Sequence, residues 1–166
     1  MAKKDLYDRI TEYIIENQEK FYRFAYSYVK NREAALDVVQ NAVCRALEKY
    51  MLIRDDNKIN AWFYRVLLNE TYAYMNKHKK EILTADEEMP EVVYNEKAYD
   101  RSDDVYEAIN RLPKELKTII ILRFFEDLQI SDIAKITNTN INTVKTRLYS
   151  ALKKLKKLYG EVYPND

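Results

Sequence analysis

The amino-acid sequence predicts an all-α protein, with two small helical domains joined by an acidic linker and a helix-turn-helix in the second domain. One Gly and three Pro among 166 residues, with 33% charged residues, are typical of helices connected by few tight turns. Apolar residues recur at spacings of three and four along most of the chain. Between the two periodic halves, the segment from Glu81 to about Ser102 has weak periodicity and contains Pro90, as a linker would.

In the first domain, residues 1–80, the pattern begins with a helix over Leu6–Tyr28, broken near Asn17. A turn at Asn31-Arg32 follows. The next helix, Glu33–Tyr50, starts with an acidic residue and ends near a basic one, as the helix dipole favours.

The pattern then breaks over Met51–Asn60, and a third helix is predicted over Ala61–Lys80. Trp62, Val66, Asn69, Ala73 and Asn76 are predicted to lie along one stripe of this helix. The linker follows as residues 81–104.

In the second domain, residues 105–166, we expect a helix over Asp103–Asn110, which starts inside the linker. Pro113 lies at a first-turn position of the next helix, and Lys114–Glu126 leads into the helix-turn-helix.

The helix-turn-helix is predicted from local chemistry. Ile130–Ile136 forms a short helix, and Thr137–Thr139 separates it from a long one. The turn needs a residue that tolerates positive φ, and Asn138 is the best choice after Gly. Asn140 is a plausible N-cap.

The long helix has two different faces. An apolar stripe consists of Val144, Leu148, Ala151, Leu155 and Leu158. From Asn142 to Leu158 there are six basic residues and no acidic one. The second helix of such a unit enters the major groove of DNA; a solvated basic face on an ordinary helical hairpin is the alternative.

The net charge of +1 is low for a protein that neutralises phosphates. The charge is segregated, however. Residues 84–104 hold eight acidic residues against two basic ones, so the remainder of the chain carries +7.

Several classes of site are excluded. Cys44 is the only cysteine and His78 the only histidine, so neither an internal disulfide nor a Cys/His zinc site is expected. Cys44 is predicted to be a small buried side chain. No phosphate-binding Gly-rich loop, nucleophile–base set or metal cluster is found, so we expect a protein without cofactors that is not an enzyme.

The longest aliphatic run, Ile119–Leu122, is too short to cross a bilayer, and Met1–Glu12 is charged rather than secretory. These features predict a cytoplasmic protein without membrane insertion.

Three stretches resemble the extracytoplasmic-function (ECF) sigma factors of bacterial RNA polymerase. Asp37–Gln40 (DVVQ) is similar to that family's core-binding signature, and Trp62–Val66 (WFYRV) with Asn69 is similar to its W-[LF]-Y-R-[IV]-x-x-N pattern. Leu112-Pro113 with the terminal NTVKTRLY resembles its second domain. FYRFAYSYVKN, KTIIILRFFEDL and NTVKTRLY further resemble the sigma-V-like branch of Gram-positive bacteria.

The sequence departs from the family pattern at two places. Asn41 replaces the acid that usually follows the signature Gln. The family's F-R-G-[DE]-S loop is Ile53–Asn57 (IRDDN) here, which reduces backbone freedom at Asp55. We therefore expect a polymerase contact without that acid and an altered promoter preference.

The resemblance implies an alternative sigma factor that binds core RNA polymerase through the β′ clamp and the β flap. The implied polymerase-binding residues are Asp37, Val38, Gln40 and Asn41. By spacing alone, this face is an ordinary exposed helix face.

The resemblance also implies that a loop and the helix after it capture opened −10 DNA. The candidate residues are Arg54, Asp56, Asn57, Lys58, Trp62 and Arg65. Cations and aromatic faces suit single-stranded DNA. As alternatives, Trp62 and Tyr64 serve as core anchors and Arg65 holds a structural ion pair.

The terminal helix would read the −35 element as duplex. The candidate residues are Thr143, Lys145, Thr146, Arg147, Tyr149, Ser150 and Lys153. Lys145 can address guanine O6 and N7, whereas Arg147 and Lys153 fit phosphate contacts.

By resemblance, the partners are core polymerase, promoter DNA and a membrane-anchored anti-sigma factor. Two rival functions remain open on the residues alone. A helix-turn-helix repressor or activator would bind duplex DNA without polymerase, and a helical adaptor would bind only protein.

Overall fold

The computed structural model describes residues 3–80, 82 and 101–162, and the side chains of residues 5–80, 82 and 105–160 within them. All regular elements in this described part are helical, which confirms the all-α prediction. The chain divides into two compact units, Met1–Pro90 and Glu91–Asp166. Most of the acidic linker predicted at 81–104 lies outside the described residues.

The first unit contains helices α1 (Lys3–Glu16), α2 (Gln18–Val29), α3 (Arg32–Lys49) and α4 (Ile59–Lys77) within the described range. The break near Asn17 is confirmed. Its backbone leaves helical geometry (φ −118°, ψ 17°), and its side-chain amide donates to the Tyr13 carbonyl at 2.8 Å. A side chain that bonds its own preceding turn competes with continuation of the helix.

The turn predicted at Asn31-Arg32 begins one residue earlier. Lys30 takes the left-handed conformation with φ 57°, and its N–H donates to the Tyr26 carbonyl at 2.9 Å. The Asn31 side chain then caps α3 by accepting from Ala34 N at 2.9 Å. Together they end α2 and start α3 within two residues.

Residues 50–58, here called the connector, join α3 to α4. The connector consists of a 3-10 turn at Tyr50–Leu52, an extended stretch and a second 3-10 turn at Asp56–Lys58. The predicted break is therefore confirmed, but α4 begins at Ile59, two residues before the predicted start.

An aromatic cluster between α2 and α4 forms the centre of this unit. The ring centroids of Phe21 and Phe63 lie 4.4 Å apart, and the Tyr64 ring meets Phe24 edge-on at 5.4 Å. All four side chains are buried. Aromatic pairs in offset or edge-on geometry contribute about 0.5–1.5 kcal/mol beyond the area they bury.

The predicted stripe of α4 is not the face that packs in the core. Trp62 and Val66 are half-exposed, and Asn69, Ala73 and Asn76 are exposed. The buried face consists of Ile59, Ala61, Phe63, Tyr64, Leu67, Leu68 and Thr71. This face carries the larger apolar area, so the helix is rotated to bury it.

The prediction that Cys44 is buried is also wrong, because its side chain is exposed. In α3, Ala42 and Ala46 face the core. Position 44 lies two residues from each, about 200° around the helix, and therefore faces solvent.

The second unit contains α5 (Arg101–Asn110), α6 (Lys114–Ile120), α7 (Ile130–Ile136) and α8 (Ile141–Val162) among the described residues. The predicted helix at Asp103–Asn110 is confirmed with a start two residues earlier. Pro113 lies at the N-cap of α6 rather than inside its first turn.

A π-helical turn, Ile121–Phe125, continues α6 and was not predicted. The chain leaves it through Asp127, which has φ 52°, and Leu128 N donates to the Leu122 carbonyl at 3.0 Å. This turn buries the Leu128 side chain in the core of the second unit, just before α7 begins.

The helix-turn-helix has the predicted local geometry. Asn138 has φ 55°, and the side-chain oxygen of Asn140 accepts from Thr143 N at 2.8 Å. The predicted packing stripe of α8 faces inward, with Val144 and Ala151 buried and Leu148, Leu155 and Leu158 half-exposed.

Within the described part of the chain, no helix combines the length and apolar character that crossing a bilayer requires.

Two isoleucines of α1 differ in burial, and this difference predicts how much stability is lost when each is replaced by alanine. Ile10 is 0% exposed and Ile15 is 63% exposed. Ile10→Ala should lower the free energy of unfolding of the first unit by about 2–5 kcal/mol, because it removes apolar contacts and leaves a cavity. Urea denaturation followed by the fluorescence of Trp62, the only tryptophan, measures this. Ile15→Ala is the control and should change the value by less than about 0.5 kcal/mol; equal losses would contradict the assigned core.

The backbone of Lys30 predicts a stabilising substitution. A side chain in the left-handed region costs about 1–2 kcal/mol, and glycine avoids this cost but adds entropy to the unfolded chain. Lys30→Gly should therefore raise the free energy of unfolding of the first unit by about 0.5–1 kcal/mol in the same assay. Lys20→Gly, inside α2, should lower it. A loss of stability in Lys30→Gly would show that other contacts of Lys30 outweigh the backbone effect.

Candidate protein and nucleic-acid interfaces

The outer face of α3 is the first candidate interface. Asp37, Gln40 and Asn41 are exposed. Their spacing of three and four residues places them side by side on the helix surface. The structure therefore brings together three of the four predicted polymerase-binding residues.

Val38, the fourth, is 2% exposed and packs in the core. Its side chain packs beneath this face, and almost none of its surface is accessible to a partner. Leu36 was not predicted, although it is 48% exposed and lies one turn from Gln40. Its spacing of four from Gln40 is the signal that could have identified it.

The connector is the second candidate interface. Ile53, within it, and Ile59, the first residue of α4, are both 7% exposed and anchor the backbone in the core. Between them, Arg54, Asp56 and Asn57 are exposed and Lys58 is half-buried. The four predicted residues thus lie together on one short surface segment.

The middle of the connector is held by a local turn. The Asp55 side chain accepts from Asn57 N at 2.9 Å, and the Asp55 carbonyl accepts from Lys58 N at 2.9 Å. Asp55 occupies the position where the family pattern has glycine, and its φ of −124° is ordinary extended backbone. The aspartate replaces backbone freedom with a side-chain bond.

Asp56 has an internal partner that sequence analysis missed. Arg9 in α1 donates through Nη2 to the Asp56 carbonyl at 2.9 Å, and its Nη1 lies 3.5 Å from Asp56 Oδ2. No sequence signal identifies this pair, since the residues are 47 positions apart.

The first turns of α4 continue directly from the connector. Trp62 is half-buried and Arg65 is exposed, and their spacing of three puts them on one face. Tyr64 is 1% exposed and is a core anchor, whereas Trp62 keeps part of its ring at the surface. Among the described residues, no ion pair of Arg65 is found, so the ion-pair alternative gains no support there.

Helix α8 is the third candidate interface. Lys145, Thr146, Tyr149 and Lys153 are exposed, and Thr143, Arg147 and Ser150 are half-exposed. All seven predicted residues are therefore accessible, and Tyr149 is 72% exposed.

Exposed apolar side chains lie beside the basic residues of α8. Ile141 and Leu152 are each more than 40% exposed. Together with Lys145 and Tyr149 they follow spacings of four, four and three, which is one helix face. Neither was predicted from the sequence, although this spacing identifies them.

The electrostatics of α8 favour an anionic partner. Its N-terminal N–H groups carry the positive end of the helix dipole, and its exposed side adds lysines without acidic residues before Leu158. Within the described residues there is no group of acidic, histidine or cysteine side chains that could hold a metal ion.

Family models match both units. Sigma-70 region 2 matches residues 14–81, and sigma-70 region 4 matches residues 102–155. The first match contains the α3 face, the connector and α4, and the second contains the helix-turn-helix.

Similar proteins agree with these matches. RNA polymerase sigma factor SigV of Bacillus subtilis (strain 168) is 43% identical over 143 residues, which cover 86% of each chain. ECF RNA polymerase sigma factor SigW of the same organism is 25% identical over 94% of this chain and 91% of its own.

Solved structures have the same fold. The sigma factor RpoE of Bartonella quintana, determined in complex with the anti-sigma factor NepR, has a TM-score of 0.72 and 25% identity, with 90% of this chain and 95% of the other covered. CnrH, determined with the cytosolic domain of CnrY, has a TM-score of 0.61 at 16% identity and covers 92% and 88%. Both sigma-70 regions and a 43% identical relative therefore show that the chain belongs to the ECF sigma factors of RNA polymerase.

Proposed function

We propose that this sigma factor binds core RNA polymerase through the outer face of α3, captures opened −10 DNA with the connector and α4, and reads the −35 duplex with α8. One observation carries the proposal. Each unit presents its predicted polar and basic residues outward from a helix whose other side is buried. The protein acts as an initiation factor and leaves the chemistry to the polymerase.

On α3, the proposed contact is polar at its centre. The Asp37 carboxylate accepts hydrogen bonds, and the Gln40 amide can donate and accept them. The Asn41 amide can also do both, at a position where the family usually has a carboxylate. Leu36 adds an apolar side chain beside them. A helix-on-helix contact with the β′ clamp would bury Leu36 and hold the polar groups in register. The β flap is the proposed second polymerase contact.

At the −10 element, Arg54 and Asn57 are the proposed base and phosphate contacts, since both project from the connector. The exposed part of Trp62 offers a stacking surface, and Arg65 a cation for the backbone. Extruding one base costs only a few kcal/mol, which contacts of this kind can offset.

At the −35 element, Lys145 is the proposed guanine contact, while Thr146 and Ser150 serve several bases and Tyr149 meets a thymine methyl or a phosphate. Thr143 lies nearest the N-terminus of α8. Arg147 and Lys153 grip phosphates and position the helix without reading sequence.

The proposed division of labour is residues 1–80 for polymerase and the −10 element, 81–104 as linker, and 105–166 for the −35 element. Residues 81–100, which precede α5, number 20 and reach about 65–70 Å when extended. Promoter elements one and a half helical turns apart are separated by about 50 Å. The linker is long enough for both domains to bind at once.

The proposed regulator is an anti-sigma factor anchored in the membrane, with the sigma factor itself in the cytoplasm. The similar structures of RpoE and CnrH were each solved with another protein, NepR as an anti-sigma factor in the first case. Such a partner would block the polymerase-binding surfaces until it is released.

Run-off transcription with purified core polymerase on a promoter pool tests the function. Intact protein should programme specific starts. Asp37→Ala with Gln40→Ala should raise the concentration of sigma factor needed for half-maximal transcription about tenfold, because two polar contacts are lost. Glu19→Ala, an exposed change in α2 outside this face, is the control and should behave as the intact protein. Tight duplex binding without any polymerase-dependent start would contradict the proposal.

Alanine substitutions of two lysines of α8 should impair DNA binding in different ways. Lys145→Ala should relax base preference at one −35 position, with a loss of about 1–3 kcal/mol of discrimination. Lys153→Ala should weaken binding to all sequences and lower the slope of log affinity against log salt by about 0.9. Selection from templates randomised at the −35 element, repeated at several salt concentrations, measures both. A uniform loss in Lys145→Ala would remove its assignment as a base reader.

A further inference from the structure

The contact between Arg9 and Asp56 connects two segments that sequence analysis treated separately. The guanidinium donates to the Asp56 carbonyl at 2.9 Å and lies 3.5 Å from its carboxylate. Both side chains are about half exposed. The main-chain bond constrains the path of the connector itself, whereas the carboxylate contact orients only a side chain.

The position of Arg9 is set by the packing of α1. Leu6, Ile10 and Ile14 form its buried stripe. Arg9 lies on one flank of this stripe and Tyr7 on the other. The Tyr7 ring meets Tyr50 edge-on at 5.2 Å, so α1 contacts both the beginning and the end of the connector.

The exposed stretch Arg54–Lys58 also has a local constraint and two buried neighbours. Asp55 bonds within its own turn, and Ile53 and Ile59 are buried on either side of the stretch. Arg9 supplies a hydrogen bond to the exposed middle from a distant part of the sequence. A loop that is already ordered loses less entropy when it binds a partner.

The pair also changes the electrostatics of the surface. An exposed carboxylate beside a DNA strand repels phosphates, and a neighbouring guanidinium offsets that repulsion. With Arg9 in contact, Asp56 presents a neutralised pair, while Arg54 and Asn57 remain directed outward.

We propose that Arg9 is a positioning residue that fixes the connector in the conformation that reads the −10 element, acting through Asp56. The proposal rests on the function proposed above for the connector. It reassigns Asp56 from a DNA-reading residue to an internal ligand of Arg9. Arg54 and Asn57 then carry the direct contacts.

The test is transcription by holoenzyme from templates randomised at the −10 element, with the start-site sequences read out. Arg9→Ala should reduce discrimination among −10 sequences about three- to fivefold, in line with loss of an exposed charged pair. Preference at the −35 element and the unfolding midpoint from Trp62 fluorescence should not change. Arg9→Lys keeps the charge but cannot serve both oxygens in the same fork geometry, so it should restore part of the discrimination.

A double-mutant cycle separates positioning from direct reading. Asp56→Ala removes the carboxylate but keeps the carbonyl that accepts from Arg9, so it should lose less discrimination than Arg9→Ala, and the double variant should be no worse than Arg9→Ala alone by more than experimental error. Additive losses would overturn the proposal, because they would indicate that each side chain contacts DNA independently.

Asn57→Ala and Arg54→Ala distinguish the failure of this proposal from the failure of the proposed function. If they reduce −10 discrimination and Arg9→Ala does not, only the positioning role is overturned. If neither Asn57→Ala nor Arg54→Ala changes −10 discrimination, the connector does not read DNA, and both proposals are overturned.

Discussion

The surface of the first unit depends on which face of α4 is buried. Phe63 and Tyr64 pack against aromatic rings of α2, and successive helical residues point about 100° apart. Burial of these two side chains therefore turns both Trp62 and Arg65 toward the surface, where Trp62 is half-buried and Arg65 is exposed. Rotation of α4 to expose a different set would disrupt the whole aromatic cluster. The core thereby selects which polar groups can meet a nucleic acid.

The same constraint operates in the second unit with different local chemistry. Asn138 reverses the chain at positive φ, and Asn140 starts α8 by accepting from Thr143 N. Burial of Val144 and Ala151 then fixes the rotation of α8 about its axis. Its lysines face solvent as a consequence. A short polar turn and two small buried side chains therefore place the basic residues of α8 on its exposed side.

Local charge matters more here than the net charge of +1. An almost neutral protein can bind a polyanion when its acidic residues are concentrated in one segment or neutralised where DNA would pass. The contact of Arg9 with Asp56 is an example of neutralisation at short range. Interactions between exposed charges fall off over about 8–10 Å at physiological salt, so each surface acts through its nearest groups.

The sequence by itself determined the helical class, most helix boundaries, the turn at Asn138 and the cap at Asn140, because these depend on interactions within about four residues. Its resemblance to ECF sigma factors also indicated the family, since the motifs are contiguous. Tertiary structure decided the buried face of α4, the exposure of Cys44 and the pairing of Arg9 with Asp56. Each of these depends on which distant helix packs against which face, and local periodicity contains no information on a partner 47 residues away.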